Sequence, residues 1–373
     1  MITISGTLSK GWISQALGVR FDRDYYFDPS RRHAVDCMCN KHAAERFPGM
    51  ALFYSESNLG QVNYWDQSQI QIGGIQPNMI LGMLLGADFL PADDRDADIT
   101  ANCLAGKDPA ELPAPESLLG HELIRLFDEQ IARIQNDTRW ELRPGPHSHR
   151  IADGPRPIPP FFWDTSGWAA IHGAMTSAQK FYGETIFLDI KTEPKTCLQM
   201  MQWIAEAFVV LCRHFSDVAD LPITSVHVGE CSSCMVGPEL VESFVVPAAS
   251  KIGQELGPIR LHSCGPSTRL LEAFSKIANL HSLDLGGETS IRKAREIFGQ
   301  EMQISVAPLP DHMSADSTGP ILAWAKQMLE DNSGGDLQYV YHFEHSYNID
   351  TVRALTDFAK SQPDFQALQP GGR

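Results

Sequence analysis

No stretch of this sequence approaches the about 18 uninterrupted apolar residues that a membrane-spanning helix needs, so none is expected. A basic start followed by an apolar run is also missing. The chain opens MITISGTLSKGWISQALG, and no secretory leader is read there. Repeats of fixed period and low-complexity tracts are lacking, which disfavours solenoids and arrays. Positive charge is scarce, with 30 Lys and Arg against 46 Asp and Glu and a formal net charge of −16. A field of that sign repels phosphate backbones and anionic membranes, leaving neutral or cationic partners. No Gly-rich fingerprint follows any strand-like run, so a dinucleotide-binding fold has little support. Cysteine is sparse too. Eight cysteines in 373 residues cannot make a disulfide scaffold; they are expected as reduced thiols of a cytoplasmic protein, some of them metal ligands.

An apolar fraction of 43% and a charged fraction of 20% are those of an ordinary globular protein with a buried core. Residues 1–75 are mixed: a helix is expected over 32–46, then the alternating run MALFYSES reads as a strand. Helices follow at 77–85 and 115–135, separated by the acidic run ADDRDAD, which reads as a solvated loop. The segment RPGPHSHRIADGPRPIPPFF is dense in Pro and Gly and reads as a long loop of the kind that often covers a site.

Beyond residue 161 the pattern becomes regular. A helix over 195–215 precedes strands in ITSVHVGE, IRLHSCG, LHSLDLG, MQISVAPL and LQYVYHFEH, with helices expected at 238–256, 267–278, 290–298, 319–330 and 349–361. Strands alternating with helices of this length mean parallel βα units, and the count fits the second half of a barrel. The expected architecture is a (β/α)8 barrel of residues 76–373 with residues 1–75 as an extension packed on it.

The strongest local signal is Leu261-His262-Ser263-Cys264-Gly265 at a strand end. Residues two apart on a strand share a face, so His262 and Cys264 can grip one ion while Ser263 points away. Imidazole plus thiolate suits Zn2+, and C-terminal strand ends are where barrel active sites form. His342 and Glu344 share one face of the last strand and are candidate further ligands, or partners of each other; His345 lies on the other face. Three acids end strands or lie just beyond: Glu230, Asp284 and Glu288, each a candidate acid, base or ligand, or else a capping or ion-pairing group. Asp164, and Trp163 beside it, are candidates to line a pocket. Cys231 and Cys234 follow a strand, while Cys37 and Cys39 sit near His42 in a helix. These read first as small, partly buried thiols, as a four-thiolate site would need the two segments to meet. His147 and His149 in the Pro-rich loop are weaker candidate ligands.

The run from Val226 to Gly286, with its strand-end acid, its helix GPELVESFVVP and its LHSCG strand, resembles the uroporphyrinogen decarboxylase superfamily. GAMTSAQKFYGETIFLDIKTEPKTCLQMM, SIRKAREIFGQEMQISV and HSYNIDTVRALTDFAK resemble other segments of the same superfamily, so the likeness spans roughly residues 160 to 360. It implies a TIM barrel and offers two chemistries. The decarboxylase itself uses no metal and needs an N-terminal arginine segment that is not found here, since Arg31-Arg32 lack its context. The methyltransferase branch binds zinc through H-x-C and a later cysteine and works with corrinoid proteins. His262 and Cys264 match the first two; no cysteine follows Cys264, and His342 and Glu344 lie near the missing place.

The resemblance therefore implies Zn2+ on His262, Cys264 and His342 or Glu344, and methyl transfer between a small ether or thiol and a corrinoid, free or carried by a partner protein. Glu230, Asp284 and Asp164 are the candidate catalytic acids. A set with one thiolate favours Lewis-acid action on oxygen over activation of a thiol. The alternatives are a metal-free decarboxylase or lyase using His342 and an acid, or a tetrapyrrole-binding barrel without turnover.

Overall fold

A computed structural model describes residues 1–50, 52–53, 68–136 and 155–367. Eight strands form one sheet: β1 (Ile2–Leu8), β2 (Leu52–Phe53), β3 (Trp168–His172), β4 (Ser225–Gly229), β5 (Ile259–Ser263), β6 (Leu280–Gly286), β7 (Gln303–Ala307) and β8 (Leu337–Phe343). Their order is β2-β1-β8-β7-β6-β5-β4-β3, and each pairing in it is parallel. Seven of these strands have five residues or more, and together they make a curled, parallel half-barrel. The edges are β2 and β3, and no pairing joins them among the described residues.

Alternation along the strands separates two faces. Ile2, Ile4, Val226, Val228, Leu261 and Leu283 belong to the buried apolar core. Their alternates are polar or small: Thr3, Ser5 and Thr7 on β1, His227 and Gly229 on β4, Arg260 and His262 on β5. The helices cover the apolar face. The longest, Pro194–Ala219, begins at a proline, which fits a first turn whose N–H has no partner, and buries Met201, Ile204, Phe208 and Phe215. Burying side chains of that size contributes about 1.5–3 kcal/mol each.

Most expected elements form, with instructive differences. The single helix expected over 238–256 is interrupted by a π-helical turn, Val241–Val245, directly before the helix Val246–Leu256. Pro247 is the physical reason, since it lacks the N–H that the regular ladder needs. The helix expected over 267–278 shrinks to Thr268–Leu270 and Leu271–Phe274. The acidic run is tied down: Asp93 pairs with Arg20, Asp96 with the buried Lys10, and Asp98 with Lys180. Residues 1–75, expected as an extension, contribute β1, an inner strand of the sheet paired to β8 along its whole length. His147, His149 and most of MALFYSES lie outside the described residues. Among the described residues no helix is long and apolar enough to cross a membrane.

Candidate metal centre

The parallel register carries chemistry-bearing residues to one level. His262 on β5 is the partner of Asp284 on β6 and of Gly229 on β4, and Gly229 in turn pairs with His172 on β3. Cys264 lies one residue beyond β5 and is exposed. A short 3-10 turn, Cys231–Met235, follows β4 and brings Cys231 over the same strand end. One ring nitrogen of His262 and the sulfurs of Cys231 and Cys264 all lie within 4.8 Å of one another. Such a cluster of two sulfurs and a nitrogen is the donor chemistry of a zinc site.

Its electrostatics favour the thiolate at Cys264, while Cys231 and His262 keep protons that an arriving cation would have to displace. The Cys231 thiol and then the His262 imidazole hydrogen bond to the Cys264 sulfur and hold its pKa down to about 4 despite burial. The same contact, together with burial, pushes the Cys231 thiol up, so the pair shares one proton until a cation displaces it. Burial alone would lower the His262 pKa, but the Asp284 carboxylate and the Cys264 sulfur outweigh it and raise it to about 9.

His262 Nδ1 lies 2.8 Å from Asp284 Oδ2. That carboxylate fixes the tautomer and leaves the other nitrogen for an ion, the usual arrangement behind a metal-bound histidine. Asp284 is itself buried and forms an ion pair with Arg260 at 3.1 Å. Burial opposes its ionisation, but Arg260 and His262 keep its pKa below the ordinary carboxylate range. Arg260 Nη1 in turn lies 3.2 Å from His227 Nδ1. His227, His262 and Asp284 also fall within 4.8 Å of one another. The Arg260 guanidinium already supplies the cation there, so that trio supports the first cluster and is not a second metal site.

The other candidates fall elsewhere. His342 and Glu344 belong to neither cluster. His342 Nδ1 is bound to Thr7 Oγ1 at 2.7 Å; His342 senses His262 and Asp284 only as charges, and Glu344 acts on His342 in the same way. Cys231 is the third ligand group that the fold brings to His262 and Cys264. Glu230 is fully buried, and its carboxylate accepts from the Met175 and Thr176 amides at 3.4 and 3.3 Å, at the N-terminus of the helix Ala174–Tyr182. Burial pushes its pKa up to about 7 against those hydrogen bonds. Through these bonds it ties the helix N-terminus to the turn that carries Cys231.

Asp164 closes a local turn by accepting from Ser166 N at 2.8 Å and does not join the cluster. Glu288 and His345 are exposed at strand ends. Trp163 packs edge-on against Trp168 and at a tilt against His227, each at 4.6 Å between ring centroids. Cys234 packs its sulfur over Gly265. Cys37 contacts His33 at 3.5 Å and Cys39 is buried, both in the helix Pro29–Arg46 and outside any metal-capable group among the described residues. Missing from the sequence reading were His172, His227 and Arg260. Each sits on the polar face of a strand; only the period-two pattern of that face could have flagged them.

No described protein family matches the sequence, and no curated protein does. Among solved structures, a methyltransferase from Methanosarcina mazei superposes with a TM-score of 0.61 at 14% identity, covering 95% of this chain and 93% of that one. A B12-independent methionine synthase from Shewanella sp. W3-18-1, in complex with selenomethionine, matches at TM-score 0.38 and 11% identity over 52% of this chain and 61% of that one. At such identities the likeness to the Methanosarcina protein establishes a shared fold.

Proposed function

We propose that the chain is a zinc-dependent methyltransferase, its sheet closing as a (β/α)8 barrel, that moves a methyl group between a small ether or thiol and a corrinoid. The carrying observation is the cluster of Cys231, Cys264 and His262 at the strand ends, its ligand atoms within 4.8 Å of one another and its Cys264 sulfur held toward thiolate. The sequence resemblance to the corrinoid-linked branch and the fold shared with a methyltransferase support the choice of reaction.

Bound there, zinc would act as a Lewis acid on a substrate heteroatom. The residues do the rest: Cys231, Cys264 and His262 hold the ion, Asp284 orients His262, and Glu230 positions the turn that bears Cys231. Two thiolates make a more electron-rich set than the single-thiolate set read from the sequence, which moves the preference from ether oxygen toward a thiol. The exposure of Cys264 leaves room for a corrinoid, free or on a partner protein, to approach the mouth. The metal-free decarboxylase is disfavoured by the one buried arginine on this face, Arg260, whose charge is already committed to Asp284.

Elemental analysis of protein prepared without chelator tests this directly. One zinc per chain, lost in Cys264→Ser and Cys231→Ser, is expected, together with methyl transfer from methylcobalamin to a small thiol. Full occupancy in both serine variants, or no zinc in the wild type, overturns it.

A further inference from the structure

Four adjacent strands present one row of residues on the polar face: His172, Gly229, His262 and Asp284 are successive register partners. The second place in that row has no side chain. The imidazoles of His172 and His262, two strands apart, therefore flank a recess instead of packing through a residue between them. A Cβ built on Gly229 would meet only His172 Cδ2 and the Ile171 carbonyl oxygen, each at the ordinary contact distance of 3.7 Å. The edge of the His172 ring turned toward the recess is thus the Cδ2 edge, and Nε2 is its neighbour in the ring.

The other nitrogen of His172, Nδ1, is buried and has no hydrogen-bond partner. A proton placed there would be an orphaned buried donor, so the proton belongs on Nε2. Burial, and then the charge on His262, hold the His172 pKa down to about 4, which keeps the ring neutral near pH 7. His172 is left presenting an N–H to the recess with no acceptor among the described residues.

Deeper on the same face the recess meets rings. His227 precedes Gly229 by two residues, Trp168 precedes His172 by four, and Trp163 packs edge-on against Trp168 and at a tilt against His227. Arg260, over the two tryptophans at 5.9 and 5.7 Å, spends its charge on Asp284. The wall is aromatic, and among the described residues its one guanidinium is already paired.

We propose that the recess over Gly229 is the substrate pocket. It takes a small, neutral molecule with a flat ring, whose oxygen or nitrogen acceptor receives the Nε2–H of His172. The identity of the occupant as substrate rests on the methyl-transfer reading; the existence of the pocket does not.

Phenol, a neutral ring with one acceptor oxygen, serves as the probe, titrated calorimetrically into the full chain with zinc and after chelation. Wild type is expected to bind. His172→Phe removes the donor and weakens binding about three- to tenfold, and His172→Gln restores a donor and recovers most of that loss. Gly229→Ala fills the recess with a methyl group that the backbone tolerates, so the variant folds with the wild-type circular dichroism and zinc content while binding falls about tenfold or more. No binding by wild type, or equal binding by wild type, His172→Phe and Gly229→Ala, overturns the proposal. Variant-sensitive phenol binding in protein that never contains zinc sinks the metal reading and leaves the pocket standing. Stoichiometric zinc with variant-insensitive binding does the opposite.

Discussion

Replacing Asp284 with asparagine separates the two duties of that carboxylate. It balances the Arg260 guanidinium, whose side chain is 3% exposed, and it holds His262 at 2.8 Å. Removing one partner of a buried ion pair leaves the other charge unpaired and costs about 3–5 kcal/mol of stability. Removing the group behind a metal-binding histidine costs about 10–100-fold in metal affinity. The two effects come apart in the double variant Arg260→Met/Asp284→Asn. An apolar side chain replaces the stranded guanidinium there, so stability returns to near the wild-type value while zinc affinity stays low.

Urea denaturation and competition against a zinc chelator measure the two quantities. In zinc-free Asp284→Asn, only the Cys264 sulfur is left to oppose burial, so the His262 pKa falls from about 9, read from its imidazole proton shifts. Wild-type zinc affinity in Asp284→Asn, with His262 still titrating near 9, would refute the reasoning.

Further expectations follow from single sites. Cys234→Ser retains zinc, in contrast to Cys231→Ser, because the Cys234 sulfur packs over Gly265 outside the cluster; metal content by mass spectrometry decides. His172 is a histidine with a depressed pKa, so its contribution to stability is present above pH 6.5 and is lost as pH falls toward 4. Urea midpoints of zinc-free wild type and His172→Gln should therefore diverge over that window, by up to about 3 kcal/mol in favour of the variant; a constant difference between them contradicts the buried neutral ring. Gly167 has φ of +86°, and a Cβ there would lie 1.9 Å from the Pro222 carbonyl oxygen. Gly167→Ala should cost about 1–3 kcal/mol or more, seen as a lower thermal midpoint with zinc still bound.

Much of the second half of the fold was legible in the primary sequence. LHSLDLG is a strand at the residues expected, Leu280–Gly286, and the helix at the chain's end, Ile349–Lys360, differs from the expected bounds by one residue. Periodicity there is strong because each element buries one face. β1 and β3 were passed over. β1 alternates Ile2, Thr3, Ile4 and Ser5, but lies 329 positions from the start of its main partner β8, a pairing that no local pattern reveals.

The sequence alone determined that His262 and Cys264 share a face, because the strand period is two and one residue separates them. Only the tertiary structure decided which residue joins them. The sequence favours His342 over Cys231, which reads there as a partly buried thiol; the neighbouring β4 places Cys231 over the strand end, whereas β8 lies three strands away across β6 and β7. The structure likewise buries Glu230 at the N-terminus of the helix Ala174–Tyr182, and it assembles the row His172, Gly229, His262 and Asp284. Strand order and register are properties of the whole packed sheet, and no segment carries them by itself.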